Sequence, residues 1–402
     1  LLDFLAIFTR ECNKMNAKFI LFVVYALASC VADASDQPAN DIAGRGSDSA
    51  NTIEADQFKF GGFGSLGISH SSQSLGDYTI DSTVPKGPGR SYDWGFGNDS
   101  LLGAQVSATF TPQVSAILQV ISEYQADNSY RPDVEWANVK YAYTPDTYIR
   151  VGRIALPTFL NSDNRYVGYS YPWVHPPVDL YRQLTITDSD GVDAMYRFQI
   201  GEFRNSLKAI YGKNTIRRAT SISYSTDMRG IFDTLEQGAT TLRIGYQERV
   251  SVSHNLLTGI TGARIPYSDL SAGVSYDPGN WFILSEWIQR ESTTKSSAMY
   301  ISAGYRVDQF TPYLTYSQNS AASFIPGFPA PTAAAIQAAK RAQRTVSMGV
   351  RWDFMKNTDV KLQYDQIRLS NDSNGYLANV PAGTILYGTR FHVISAVVDF
   401  LF

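Results

Sequence analysis

The segment FHVISAVVDFLF, residues 391–402, carries Ile394, Ala396, Val398, Phe400 and Phe402 at every second position. A strand repeats every two residues, so this spacing builds one apolar stripe that runs to an aromatic carboxyl terminus. The rest of the chain suits strands too. It holds 25 Tyr, 21 Phe and 30 Gly in 402 residues, a composition that fits strands flanked by interfacial aromatic girdles.

This ending resembles the closing-strand signal by which outer-membrane β-barrels are recognised for assembly. The resemblance makes Val398, Phe400 and Phe402 an assembly signal, with the barrel-assembly machinery and outer-membrane lipid as partners. Composition excludes the other membrane architecture. With 44% hydrophobic residues and a mean hydropathy of −0.18, the chain is too polar for a helical bundle, which needs repeated apolar runs of roughly 20 residues. The nearest run, 19–28, is too short. Charge is nearly balanced, 34 Lys+Arg against 37 Asp+Glu, for a net −3. That balance implies neither nucleic acid nor an anionic membrane surface as a partner.

The first 34 residues read as targeting. Residues 1–14 look like an upstream extension and Met15 like the translation start. Lys18 is then the positive n-region, 19–28 the apolar h-region and Ala32-Asp33-Ala34 a small-x-small cleavage site. Cleavage after Ala34 removes Cys12 and Cys30, which leaves no thiol to oxidise. An alternative makes Cys30 the acylated residue of a lipoprotein box, Leu27-Ala28-Ser29-Cys30. Residues 35–56, rich in Asn, Asp, Ser and Ala, are expected to form a flexible periplasmic arm.

From 57 onward the pattern alternates in sixteen segments: 57–69, 101–111, 114–124, 133–143, 147–153, 191–200, 204–213, 219–235, 239–250, 267–276, 281–291, 298–306, 310–317, 344–354, 358–369 and 391–402. Most approach the roughly 9–11 residues that a tilted strand needs to cross a bilayer. Their connections alternate between tight Pro/Gly/Asx turns, such as Thr144-Pro145-Asp146 and Asp277-Pro278-Gly279-Asn280, and long stretches at 70–100, 125–132, 154–190, 251–266, 318–343 and 370–390. Residues 214–218 and 292–297 are short exceptions. Short turns on one side and long loops on the other is the asymmetry of outer-membrane barrels. One loop piece, TAAAIQAAKRAQR at 332–344, is expected to form a short external helix. The fold class is therefore all-β: a transmembrane antiparallel barrel of about sixteen strands.

Side chains sort by parity. Leu102, Ala104, Val106, Ala108 and Phe110 oppose Gly103, Gln105, Ser107 and Thr109. Ile149 and Val151 oppose Tyr148 and Arg150, and Ala194, Tyr196, Phe198 and Ile200 oppose Asp193, Met195, Arg197 and Gln199. Leu242, Ile244 and Tyr246 oppose Arg243, Gln247 and Arg249, while Val346, Met348, Val350 and Trp352 oppose Arg351. Arg or Lys facing the bilayer midplane costs about 2–4 kcal/mol, so the polar faces should line the interior. A sixteen-stranded barrel is wide enough to keep that interior wet.

The motifs EWANVKY at 135–141, RVGRI at 150–154, LPTF at 156–159 and DGVDA at 190–194 resemble those of Gram-negative porins, in particular uncharacterised proteobacterial porin-like proteins, over about 57–402. The resemblance implies that the loop at 154–190 folds inward as a constriction, with loop acids facing a basic wall. Carried onto this chain, Asp163 and Asp179 are the loop acids. Arg150, Arg197 and Arg243 form the wall, with Lys140 and Lys208 as weaker members and Asp193 among the lumenal charges. Arg165 and Arg182 on the loop depart from the acidic pattern, which leaves cation or anion preference open. The resemblance also implies a homotrimer, lipopolysaccharide as a neighbour and passive diffusion of small hydrophilic solutes.

Two other readings stand beside this one. Arg150, Arg165, Arg182, Arg197 and Arg243 could form the ladder of an anion-preferring channel, or the barrel could be plugged and serve as a surface adhesin or structural anchor. Asp188, Asp190 and Asp193 have oxygen ligands for a cation, but Asp-Ser-Asp-Gly commonly opens a strand after a turn. Arg150 and Arg153 fit bracing of the wall by pairing with lumenal acids as well as they fit solute contact. Tyr169, Tyr171 and Trp173 fit loop packing or the girdle better than a sugar track. His70, His175 and His254 fall in loops, His392 near a strand end, and no G-x-S-x-G, H-E-x-x-H or phosphate-cradling motif occurs. Neither catalysis, a cofactor nor a metal is expected.

Overall fold

The computed structural model describes residues 57–320, 323–324 and 340–402. The targeting segment 1–34 and the arm 35–56 lie outside the described residues, as does 332–339 of the expected helix. The remainder of that helix is a correction: 340–342 are irregular, and Gln343 begins a strand.

Sixteen long strands follow in order. They are β1 Phe58–Ser71, β2 Leu101–Thr109, β3 Val114–Glu123, β4 Asp133–Thr144, β5 Thr147–Ala155, β6 Asp188–Ile200, β7 Phe203–Arg218 and β8 Ser221–Gln237. The second half comprises β9 Thr240–Asn255, β10 Ile265–Tyr276, β11 Trp281–Glu291, β12 Thr294–Tyr305, β13 Phe310–Asn319, β14 Gln343–Met355, β15 Thr358–Leu369 and β16 Arg390–Leu401. Each pairs antiparallel with the next, and β1 pairs with both β2 and β16: Gly64 faces Leu102 on one side and Phe400 on the other. The sheet is thereby closed, which leaves no unpaired edge in hydrocarbon.

β7, β8 and β9 run 16, 17 and 16 residues, well beyond a single crossing, and rise past the membrane on the long-loop side. The connection expected at 214–218 is therefore strand. Outside the bilayer both faces of a ribbon are wet, so KNTIRR has no reason to alternate and reads as loop. Pairing continues there because the chain bulges at Asp227, which adopts φ 54° as the β7–β8 register slips between Gly212 and Asn214.

The apolar parity faces outward. Val151 and Ile231 are each 61% exposed, and Ile244, Leu314 and Leu362 more than half exposed. At the tight-turn end Trp281, Tyr305, Phe310, Trp352 and Phe354 form an aromatic rim, with Phe310 and Trp352 stacked at 5.8 Å. Phe400 shares the outward parity yet is fully buried. Its ring lies over Gly64, where a Cβ would collide with it, and Phe402 covers Gly62 likewise. The terminal aromatics thus seal the β16–β1 seam.

Asp233 departs from the rule that charges face the lumen. It lies opposite Leu207 and Ile244, both exposed on the lipid side, and its Oδ1 is buried with no hydrogen-bond partner. A lipid-facing carboxylate at membrane depth is destabilising. Asp233→Leu should therefore raise unfolding stability in detergent or bilayers by about 1–2 kcal/mol; an unchanged or lowered urea midpoint would rule this out.

The loop between β5 and β6, residues 156–187 (L3), folds into the barrel. It contains a 3-10 turn, Gly168–Ser170, and a single helical turn, α1, Val178–Tyr181. Its Leu156, Phe159, Trp173, Leu180, Tyr181 and Leu184 pack against Phe232, Phe282, Ile288, Tyr300 and Tyr313 of the inner wall. Val178 joins a second cluster with Tyr78 of the β1–β2 loop, Tyr376 and Leu386 of the β15–β16 loop, and Ile367 and Val393 of the wall. One side of the interior, centred on β11–β16, is therefore filled by packed side chains instead of the open lumen that parity suggests.

Candidate pore and constriction

Open space on the other side includes two cavities. The inner one, ≈ 610 Å³, is lined at the tight-turn end by Asp146, Tyr148, Arg197, Arg204, Glu236 and Arg243 among others. The outer one, ≈ 420 Å³, is lined at the long-loop end by the tops of β3–β7 and by the β1–β2 loop. L3 borders both, with Pro157 and Asp163 on the inner cavity and Arg165, Tyr166 and Tyr181 on the outer.

The structure brings several of the expected residues together. Asp163 is exposed at the L3 edge and shares the inner cavity with Arg197, Lys208 and Arg243. Arg243 is held in place by Nε donation to Thr234 Oγ1 at 3.0 Å and by donation to the carbonyl of Phe159 on L3. Arg150 forms a two-pronged pair with the buried Asp193, with Nε 3.0 Å from Oδ1. Arg150 and Lys140 also lie over the Tyr148 ring at 5.4 and 5.5 Å. Arg165 borders the outer cavity and pairs with Asp81 at 3.2 Å.

Others lie apart. Asp179 is fully buried and accepts from Ser317 Oγ at 2.8 Å and Gln343 Nε2 at 2.7 Å. Burial pushes its carboxyl up to about 6, against the lowering effect of those bonds. Arg182 is buried beneath the outer loops, donates to the carbonyl of Thr79 and lies 5.1 Å over Tyr376. Burial, reinforced by Arg341, lowers it to about 10. Asp188, Asp190 and Asp193 do not converge: Asp190 and Asp193 pair with Arg153 and Arg150, and Asp188 accepts from Asn214 Nδ2 at 2.9 Å.

The residues that fix L3 carry no motif. Glu286 of β11 accepts from the Leu160 backbone N–H at 2.7 Å and from Tyr181 and Tyr300 hydroxyls at 2.8 Å each. Trp173 Nε1 donates to Ser302 and Thr315. Lys361 of β15 donates to the Gly168 carbonyl at 2.7 Å and pairs with Asp399 at 2.8 Å. Arg351 donates to the Tyr169 carbonyl at 2.6 Å and lies 4.6 Å over the Tyr169 ring. His175 is buried between Asp99, 2.8 Å from Nδ1, and the Tyr78 hydroxyl, 3.0 Å from Nε2. Burial opposes the charge on that ring, but Asp99 and Asp365 outweigh it and raise its pKa. Inward parity marks Glu286, Lys361 and Asp399 as lumenal, but parity names no partner.

A family model described as Gram-negative porin matches residues 22–378. No curated protein sequence matches the chain. Solved structures show the same fold. The anion-selective porin from Comamonas acidovorans superimposes with a TM-score of 0.55 at 13% identity, covering 86% of this chain and 99% of that one. OmpT of Vibrio cholerae, folded in vitro and in its trimer form, gives 0.54 at 13% identity, with 86% and 99% covered. The outer membrane channel DcaP of Acinetobacter baumannii gives 0.52 at 11% identity, with 88% and 100% covered. With the closed sixteen-stranded barrel and the match over most of its length, the chain belongs to the Gram-negative porin family, non-enzymatic diffusion channels of the outer membrane.

Proposed function

We propose that small hydrophilic solutes cross along the β3–β9 side of the barrel, between that wall and L3, and that Asp163 opposite Lys208, Arg197 and Arg243 filters them. The observation that supports this is the shared inner cavity of one loop acid and three wall cations. Opposite charges across a narrow passage orient water and polar solutes and leave little net ion preference. An unbroken arginine ladder is disfavoured, since Arg182 is buried under the outer loops and Arg150 is neutralised by Asp193. Reversal potentials under a salt gradient test this assignment. Wild type should discriminate weakly, and Lys208→Gln with Arg243→Gln should move the permeability ratio toward cations by about threefold; a ratio unmoved by both changes removes these residues from the filter.

We further propose a homotrimer, with lipopolysaccharide and the assembly machinery as partners in the membrane. Its support is the trimer form of the OmpT relative and the small outward residues Ala104 and Ala396 on β2 and β16, which let flat walls approach. Unheated electrophoresis should show a species about three times the monomer mass that dissociates on heating; a band at monomer mass throughout would refute it.

A further inference from the structure

Five arginines gather inside the long-loop end, where L3, the β1–β2 loop and the tops of β7, β9 and β11 meet. Arg182 of L3 donates to the Thr79 carbonyl. Arg218, at the top of β7, donates to Ser82 Oγ at 3.1 Å and Ser223 Oγ at 2.9 Å, and Ser82 meets Thr185 of L3 at 2.9 Å. Arg249 and Arg290 share one carboxylate, Asp269, and Arg290 also donates to the Gln183 carbonyl of L3. Arg341 is the fifth. Burial lowers the pKa of Arg218, and Arg290 and Arg341 lower it further against the raising effect of Asp81, so these guanidinium groups feel one another's charge. Arg218 is half-buried, Arg341 exposed and the Arg290 side chain 18% exposed, which leaves the cluster open to solvent.

The positive excess survives a full count of the neighbours. Asp81 is matched by Arg165 at 3.2 Å, and Asp372 by Lys340 at 3.0 Å. Five arginines then stand against Asp269 and the buried Asp179, an excess of three. The Asp99–His175–Asp365 group takes off one at most, and residues 318–339 hold no Asp or Glu to offset the rest. Arg182 and Arg218 form no ion pair among the described residues. Arg290 Nη2 is buried there without any hydrogen-bond partner among them.

We infer that this cluster is a binding site at the outer entrance for a small solute that carries two or more negative charges on phosphate or carboxylate groups. A guanidinium presents a planar fork that pairs with two oxygens of such a group at once. Partly buried like charges are costly to hold together until a counter-charge joins them, and a monovalent ion cancels only part of the excess. L3 and the wall both contribute arginines, so the solute would bridge them. The site lies at the end of the barrel opposite the filter of Asp163, Lys208, Arg197 and Arg243. It goes beyond the diffusion reading and does not depend on current flowing.

The test is isothermal titration of the purified full chain in uncharged detergent and about 0.1 M sodium chloride, with pyrophosphate and, separately, with citrate. At least one should bind once per chain with a Kd below about 1 mM, and the tighter of the two identifies the anion class. Arg218→Gln breaks no ion pair, so the fold is kept, and it should weaken binding about tenfold. Arg218→Lys should recover only part of that loss, because an ammonium lacks the fork. Three results would overturn the site: no binding of either anion, binding unmoved by Arg218→Gln, or binding abolished by Lys208→Gln with Arg243→Gln, which would place the anion at the inner cavity. Each leaves the channel reading intact, since reversal potentials test that separately.

Discussion

Replacing Glu286 by Ala should release L3 and enlarge the channel while leaving the barrel closed. One carboxylate satisfies three buried donors: the Leu160 N–H and the hydroxyls of Tyr181 and Tyr300. Each donor left without an acceptor costs about 1–3 kcal/mol, so the docked state loses several kcal/mol, enough to populate an undocked loop. The wall does not depend on this contact, because the β10–β11 and β11–β12 ladders run through backbone bonds. We expect single-channel conductance to rise about twofold with added flicker, and protease to cut within 156–187, while strand content is retained. Unchanged conductance together with a protected L3 would show that the apolar packing of Trp173, Leu180 and Leu184 suffices by itself.

The largest stability effect is expected at Lys361. Its side chain is fully buried in the inner wall, 2.8 Å from Asp399 and 3.8 Å from Asp359, both buried as well. It also holds the Gly168 carbonyl of L3. Lys361→Ala leaves Asp399 with the Ser65 hydroxyl alone and Asp359 with Arg351. Breaking one partner out of a buried pair costs about 3–5 kcal/mol, because the remaining charge is uncompensated. Asp399 lies on β16 and Ser65 on β1, so the loss falls on the seam that closes the barrel. The urea midpoint should drop accordingly, and the folded form should lose its resistance to unfolding in unheated electrophoresis. The double variant Lys361→Ala with Asp399→Asn should recover part of the loss; a double variant no more stable than the single one would place the cost in packing instead of charge.

The strand pattern was legible because a bilayer imposes a rule on every crossing residue. The segments expected at 281–291 and 358–369 coincide with β11 and β15, and the outward exposure of Val151, Ile244 and Leu314 follows from period two alone. The rule lapses where lipid ends, which is why the tops of β7 and β9, residues 214–218 and 251–255, read as loop. Parity also failed at Asp233, where a charge sits on the lipid face, and at Phe400, where a neighbouring glycine gives the ring room to lie flat.

The candidate site divides along the same line. Arg197, Lys208 and Arg243 are inward by parity, and Asp163 lies on a loop whose length and position announce a constriction. Nothing local distinguishes Asp163 from Asp179, both polar positions in one irregular segment. Their fates separate because α1 turns Asp179 toward Ser317 and Gln343 while the L3 edge leaves Asp163 in the cavity. Arg150 and Asp193 are neighbours in register between β5 and β6, so their pairing was implicit once the strands were aligned. Glu286, Arg351 and Lys361 were visible as inward charges, but their partners on L3 lie more than a hundred residues away in sequence.

Chain order and residue type alone settle that this polypeptide forms a barrel, how many times it crosses and which face of each strand meets lipid, since the membrane judges every side chain one at a time. Which half of the interior fills, where the passage runs and which charges stay free to meet a solute depend on L3 meeting the wall. Those contacts join residues far apart along the chain, and only the folded arrangement brings them within reach of one another.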